Sequence, residues 1–126
     1  SLRVGALWDR GVAASREGSS AEALELFETE ADNAAAQSQN QRAAIAYRSA
    51  SREAMIVGRR DHANKLLRLS GKHYLMVAES PETAVRAVVQ AFVAAAKCFL
   101  QAGNLPLAGA SITRALATSE ILSDIA

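Results

Sequence analysis

Residues 7–27 read Leu-Trp-Asp-Arg-Gly-Val-Ala-Ala-Ser-Arg-Glu-Gly-Ser-Ser-Ala-Glu-Ala-Leu-Glu-Leu-Phe and hold a six-position pattern that recurs twice further along the chain. A large apolar residue, Leu7, is followed by a small one four on, Gly11, then Ala14, Gly18, Ala23 and Phe27 at steps of three, four, five and four. The second copy is Tyr47, Ser51, Ala54, Gly58, Ala63, Leu67, and the third is Phe92, Ala96, Phe99, Gly103, Ala108, Ile112. Self-similarity at fixed spacing is the mark of a repeat architecture, in which no single unit buries its apolar faces and stacking supplies the core. Small residues at Gly11, Ser51 and Ala96, with Ala23, Ala63 and Ala108, let the two helices of a unit approach closely. Leu7, Tyr47, Phe92, Phe27, Leu67 and Ile112 are expected to fill the space between units.

The rest of the chain is punctuated to match. Ala, Leu, Glu and Arg dominate, and prolines number only two, so the fold class is all-α. Ser19-Ser20-Ala21-Glu22 has the form of a capping box. Asn104 precedes Pro106 as an N-cap precedes a first-turn proline, and Ser80-Pro81-Glu82 reads as a third helix start. Gln37-Ser38-Gln39-Asn40 is a polar break. These signals predict six helices near residues 3–17, 20–36, 40–57, 60–79, 82–102 and 105–124, grouped as three antiparallel pairs with repeat units at about 3–36, 40–79 and 82–124. Gly71, inside the fourth helix, costs about 1 kcal/mol relative to Ala and marks a candidate kink.

One domain of 126 residues, half of them apolar, can build a core without disulfides or metal. The lone Cys98 favours a reducing, cytoplasmic compartment. Charges interrupt every apolar run, so no membrane insertion is expected. A start at Ser-Leu without Met reads as a fragment of a longer protein. The net charge of +1 hides segregation. Six acids and no Lys or Arg occupy residues 17–32, whereas residues 42–72 hold eight Lys and Arg against Glu53 and Asp61. The first segment reads as a solvated stripe through Glu22, Glu25 and Glu28. The second lacks interleaved aromatics, so nucleic acid, though a rival reading, is the lesser one.

The six positions resemble the tetratricopeptide repeat, whose helix A carries a large and a small residue and whose helix B carries Ala and then an aromatic after a turn glycine. The resemblance implies a right-handed superhelical stack of three antiparallel pairs, an α-solenoid. Turn glycines stand 40 and then 45 residues apart, against 34 in the standard repeat. That spacing places long-helix relatives, such as the soluble NSF attachment proteins, nearer than the standard repeat. In such a fold the helix A residues line an inner groove. Aligned by the turn glycine, Arg48, Arg52 and Lys97 point into it with Trp8 at its edge or in the core, a set suited to an acidic, carboxylate-bearing peptide. The carboxylate clamp of chaperone-binding relatives is not matched, because Trp8 and Val12 stand where that clamp has Lys and Asn.

The function expected is a non-catalytic interaction or scaffold module with a protein or peptide partner and no cofactor. An oligomerisation domain is the alternative, because Ile121, Leu122 and Ile125 spread around the last helix as candidates for a subunit contact. His62 and His73 lie 11 apart without ligand partners at metal spacing, so no metal site is expected. Cys98 in an apolar setting is no nucleophile.

Overall fold

The computed structural model describes residues 4–125. Six helices run in order: α1 (Val4–Arg16), α2 (Ser20–Ala36), α3 (Asn40–Ile56), α4 (Arg60–Glu79), α5 (Val85–Gln101) and α6 (Leu105–Ile125). Each packs against the next, and the described residues contain no strand. Side chains also join alternate helices: Ser15 of α1 to Glu53 of α3, Glu28 of α2 to His62 of α4, and Glu79 of α4 to Arg114 of α6. The arrangement is compatible with a helical repeat.

The turns explain the spacing. Gly18, Gly58 and Gly103 share φ +81°. Each begins the same closure: the glycine N–H donates to the carbonyl three residues back, and the next N–H donates to the carbonyl five back, as in Ser19 to Ala14 at 2.9 Å and Arg59 to Ala54 at 2.8 Å. This is the left-handed helix stop that glycine adopts without steric cost. Ser38, at φ 58°, makes the same turn, donating to Ala35 while Gln39 donates to Ala34. The true step between stops is therefore 20 residues, from 18 to 38 to 58. The interval from Gly58 to Gly103 is five residues longer than two such steps because α4 has 20 residues where α2 has 17, and because residues 80–84 replace a three-residue link.

Serine in a left-handed conformation is strained. Ser38→Gly is expected to raise stability by about 0.5–1 kcal/mol, the relieved strain exceeding the extra chain entropy that glycine loses. An unmoved or lowered urea midpoint would contradict this.

Two predicted starts need correction. Pro81 ends α4 instead of opening α5 at residue 82. Proline drives the residue before it out of the helical region, and Ser80 is extended at ψ 130°. The Thr83 hydroxyl then donates to the Val77 carbonyl at 2.7 Å, and α5 begins at Val85. Ser19 does occupy the N-cap of α2, but its side chain makes no capping hydrogen bond, so the capping box does not form. Asn104 does cap, accepting from the Leu107 N–H at 3.2 Å.

The core is built on alanine. Ala23, Ala43, Ala50, Ala54 and Ala63 are fully buried, and around them pack Phe27, Tyr47 and Leu66. Phe99 with Cys98 and Tyr74, then Phe92 with Ala78 and Ala115, continue it toward the C-terminus. The predicted fillers Phe27, Tyr47, Leu67 and Phe92 are buried, and Leu7 is half-buried. Ile112 is the exception at 43 % exposure, since among the described residues no helix follows α6 to cover it. At Gly71 there is no interruption: α4 runs through it, and the glycine lies under the Phe99 ring. No described helix is long and apolar enough to cross a membrane.

Candidate functional site: an arginine cleft and its neighbour

The turn at Gly58 folds the end of α3 back beside the start of α4, and the last turn of α5 closes the space between them. The result is an open cleft of about 570 Å³. Arg48, Arg52 and Met55 line it from α3, where steps of four and three place them on one face. Arg60, Asn64 and Leu67 line it from α4, and Gln101 and Gly103 from the end of α5.

Its electrostatics are one-sided. The ion pairs among the described residues are Arg42–Glu30, His62–Glu28 and Arg114–Glu79, so Arg48, Arg52 and Arg60 line the cleft without a partner among the described carboxylates. Arg52 and Arg60 are exposed and Arg48 is half-buried. Burial pushes the Cys98 thiol and the Tyr74 hydroxyl above their ordinary range, and the Arg48 charge pulls both back in part. A guanidinium presents a planar fork of donors that matches carboxylate or phosphate, and an apolar floor of Met55 and Leu67 strengthens such a contact by excluding water.

The predicted groove set divides. Arg48 and Arg52 line the one cleft together. Lys97 is exposed on α5 but lies outside the cleft, because Gln101, one turn later, is the residue that reaches it. Trp8 is both core and groove. Its ring packs on Phe27 at 5.0 Å between centroids, and it also walls two smaller clefts. One, of about 310 Å³, includes Glu30, Arg42 and Ile45; the other, of about 220 Å³, includes Ser15, Arg16, Arg52 and Glu53. Arg52 thus borders both this cleft and the larger one.

Two residues escaped sequence reasoning. Arg60 belongs to helix B, outside the helix A set, although its position two residues past the turn glycine puts it opposite the end of α3. Glu53 interrupts a basic run in the sequence, yet it lies on the buried seam between Ala50 and Ala54 and is 3 % exposed.

The acidic stripe of α2 proves partly structural. Glu28 meets His62 at 2.7 Å, Asp32 accepts from the Tyr47 hydroxyl at 2.6 Å, and buried Glu30 meets Arg42. Burial, and then the bond to Asp32, push the Tyr47 phenol up. His73 is buried, stacked on Tyr47 and bonded to Asn40 at 2.9 Å; burial, with help from Lys72, holds its imidazole below the ordinary range. The two histidines therefore serve helix packing separately. No three described His, Cys, Asp or Glu side chains are grouped to hold a metal.

At the C-terminal end, Leu105, Ile112, Leu116 and Ile121 of α6 are exposed, while Leu122 is half-buried. The side chain of Ile125 lies outside the described residues.

The chain matches no protein-family model, no curated protein and no solved structure.

Proposed function

We propose that this chain is a tetratricopeptide-like interaction module, a superhelical stack of three long-helix pairs, that binds an acidic extended peptide in the cleft of Arg48, Arg52 and Arg60. The observation that carries the reading is the convergence of three arginines, unmatched by any described carboxylate, on one open cleft with an apolar floor. The same turn at residues 18, 38, 58 and 103, the first three 20 residues apart, and side-chain ties between alternate helices support the stacked-pair part. The role needs no catalytic step, and a buried, unpaired Cys98 fits a reducing compartment such as the cytoplasm.

The test is titration with an N-acetylated hexapeptide of alternating Asp and Glu, and separately with single-stranded oligonucleotides. Binding of the peptide that weakens with added salt is expected. Oligonucleotides binding tightly while the peptide does not would replace this reading with the nucleic-acid one.

The bare face of α6 favours a second role, self-association, since stacked helical arrays normally end in a polar cap. Ile112→Glu with Leu116→Glu is then expected to turn a concentration-dependent sedimentation profile into that of a monomer. A wild-type protein that already sediments as a monomer at every concentration removes this second role.

A further inference from the structure

Among the described residues two carboxylates are buried, and one of them is neutralised by a described side chain. Glu30, 4 % exposed, is met by Arg42 at 2.5 Å. Glu53, 3 % exposed, accepts from the Ser15 hydroxyl through Oε2 at 2.9 Å, and its Oε1 is closed from solvent with no hydrogen-bond partner. Leaving a buried acceptor unmatched is costly, and more so when it carries charge. Arg16 and Arg52 line the same cleft as Glu53, yet neither pairs with it.

We infer that Glu53 is the seat for a primary ammonium group of the bound peptide, its amino terminus or a lysine side chain, with Arg16 and Arg52 taking the carboxylate that follows. The inference rests on the acidic-peptide reading and extends it: the ligand is dipolar, cationic at the Glu53 end and anionic along Arg52, Arg48 and Arg60. Arg52 borders both clefts, so one extended chain can pass from the first to the second.

The chemistry selects this group. A hard metal ion takes several oxygen ligands, and here one carboxylate stands alone. A guanidinium binds best through both carboxylate oxygens, but Oε2 is engaged by Ser15. An ammonium is a point charge that needs one oxygen, and Trp8, a residue type that attracts cations, lines the same cleft. Arg16 is exposed, Arg52 is exposed, and neither lies in an ion pair of the described residues, so their side chains are free to change rotamer as a ligand enters the cleft.

Trp8 is the only tryptophan, and its emission reports the cleft directly. Four peptide amides serve as probes: Ala-Asp-Glu-Asp-Glu with a free amine, the same peptide acetylated, acetyl-Lys-Asp-Glu-Asp-Glu, and neutral Ala-Ala-Ala with a free amine. At least one ammonium-bearing acidic peptide is expected to bind tenfold or more tightly than the acetylated one, and which of the two does so identifies the source of the ammonium. Glu53→Gln, which keeps the shape and the Ser15 acceptor, is expected to reduce that preference to under twofold. Equal wild-type affinity for all three acidic peptides overturns the ammonium seat and leaves the arginine cleft standing; this comparison needs no variant to fold. If no acidic peptide binds, the cleft reading falls and Ala-Ala-Ala amide decides the seat: a saturable response supports it, and none overturns it.

Discussion

Gly71→Ala is expected to destabilise the protein by up to about 2 kcal/mol, and in a Phe99→Leu background the same substitution is expected to stabilise it by up to about 1 kcal/mol. At Gly71 an added Cβ would stand 2.8, 2.9 and 3.0 Å from three carbons of the Phe99 ring. That ring is 3 % exposed and enclosed by Tyr74, Cys98 and Ala108, so it cannot swing clear. Overpacking of this kind costs about 1–3 kcal/mol, against which alanine returns roughly 1 kcal/mol of helix propensity. Leucine at 99 removes the ring and leaves the propensity gain alone, so the two sites couple strongly. Urea denaturation of the four proteins of the cycle measures it. Additive effects would mean that the glycine is not held for the ring. Gly109, with nothing within 4 Å of an added Cβ, is the contrast: Gly109→Ala should stabilise in any background.

Arg52→Glu with Arg60→Glu weakens acidic-peptide binding at least a hundredfold, with little change in unfolding temperature. Each guanidinium–carboxylate hydrogen bond contributes about 1.5–3 kcal/mol, and every 1.4 kcal/mol is a tenfold change in affinity, so losing two and adding repulsion exceeds two decades. Both side chains are exposed and unpaired, so folding does not depend on them. Lys97→Glu is the internal control and changes affinity less than threefold because Lys97 lies outside the cleft. Titration of the three proteins with the acetylated acidic peptide decides between outcomes. If Lys97→Glu proved as damaging as the double variant, the ligand would follow the groove read from the repeat register and not the cleft at the Gly58 turn.

Much of the architecture was legible in the chain because helix geometry is local. Spacing of three and four places Leu7, Gly11 and Ala14 on one face, and Gly18, Gly58 and Gly103 supply at three of the turns the left-handed residue that a helix stop uses. The errors arose where one residue can serve either of two neighbouring helices. Pro81 suits a helix start, but its effect on Ser80 makes it a stop. Ser19 suits a cap, but the three-residue link has it closing α1 as it opens α2. Ser38 suits a polar break, and because serine rarely adopts positive φ its sequence does not reveal the 20-residue step.

By itself the sequence determined six helices, their turns and their apolar faces, all set by interactions within a few residues. It also singled out Arg48 and Arg52. What only the tertiary structure decided is which side chains from different helices meet: that Arg60 joins those two while Lys97 does not, that Arg42 neutralises Glu30 while Glu53 keeps an unmatched oxygen, and that Gly71 and Gly109 differ in sign on substitution. These depend on how helix ends and surfaces converge in space, and residue periodicity fixes the direction a side chain leaves its own helix without fixing what it finds there.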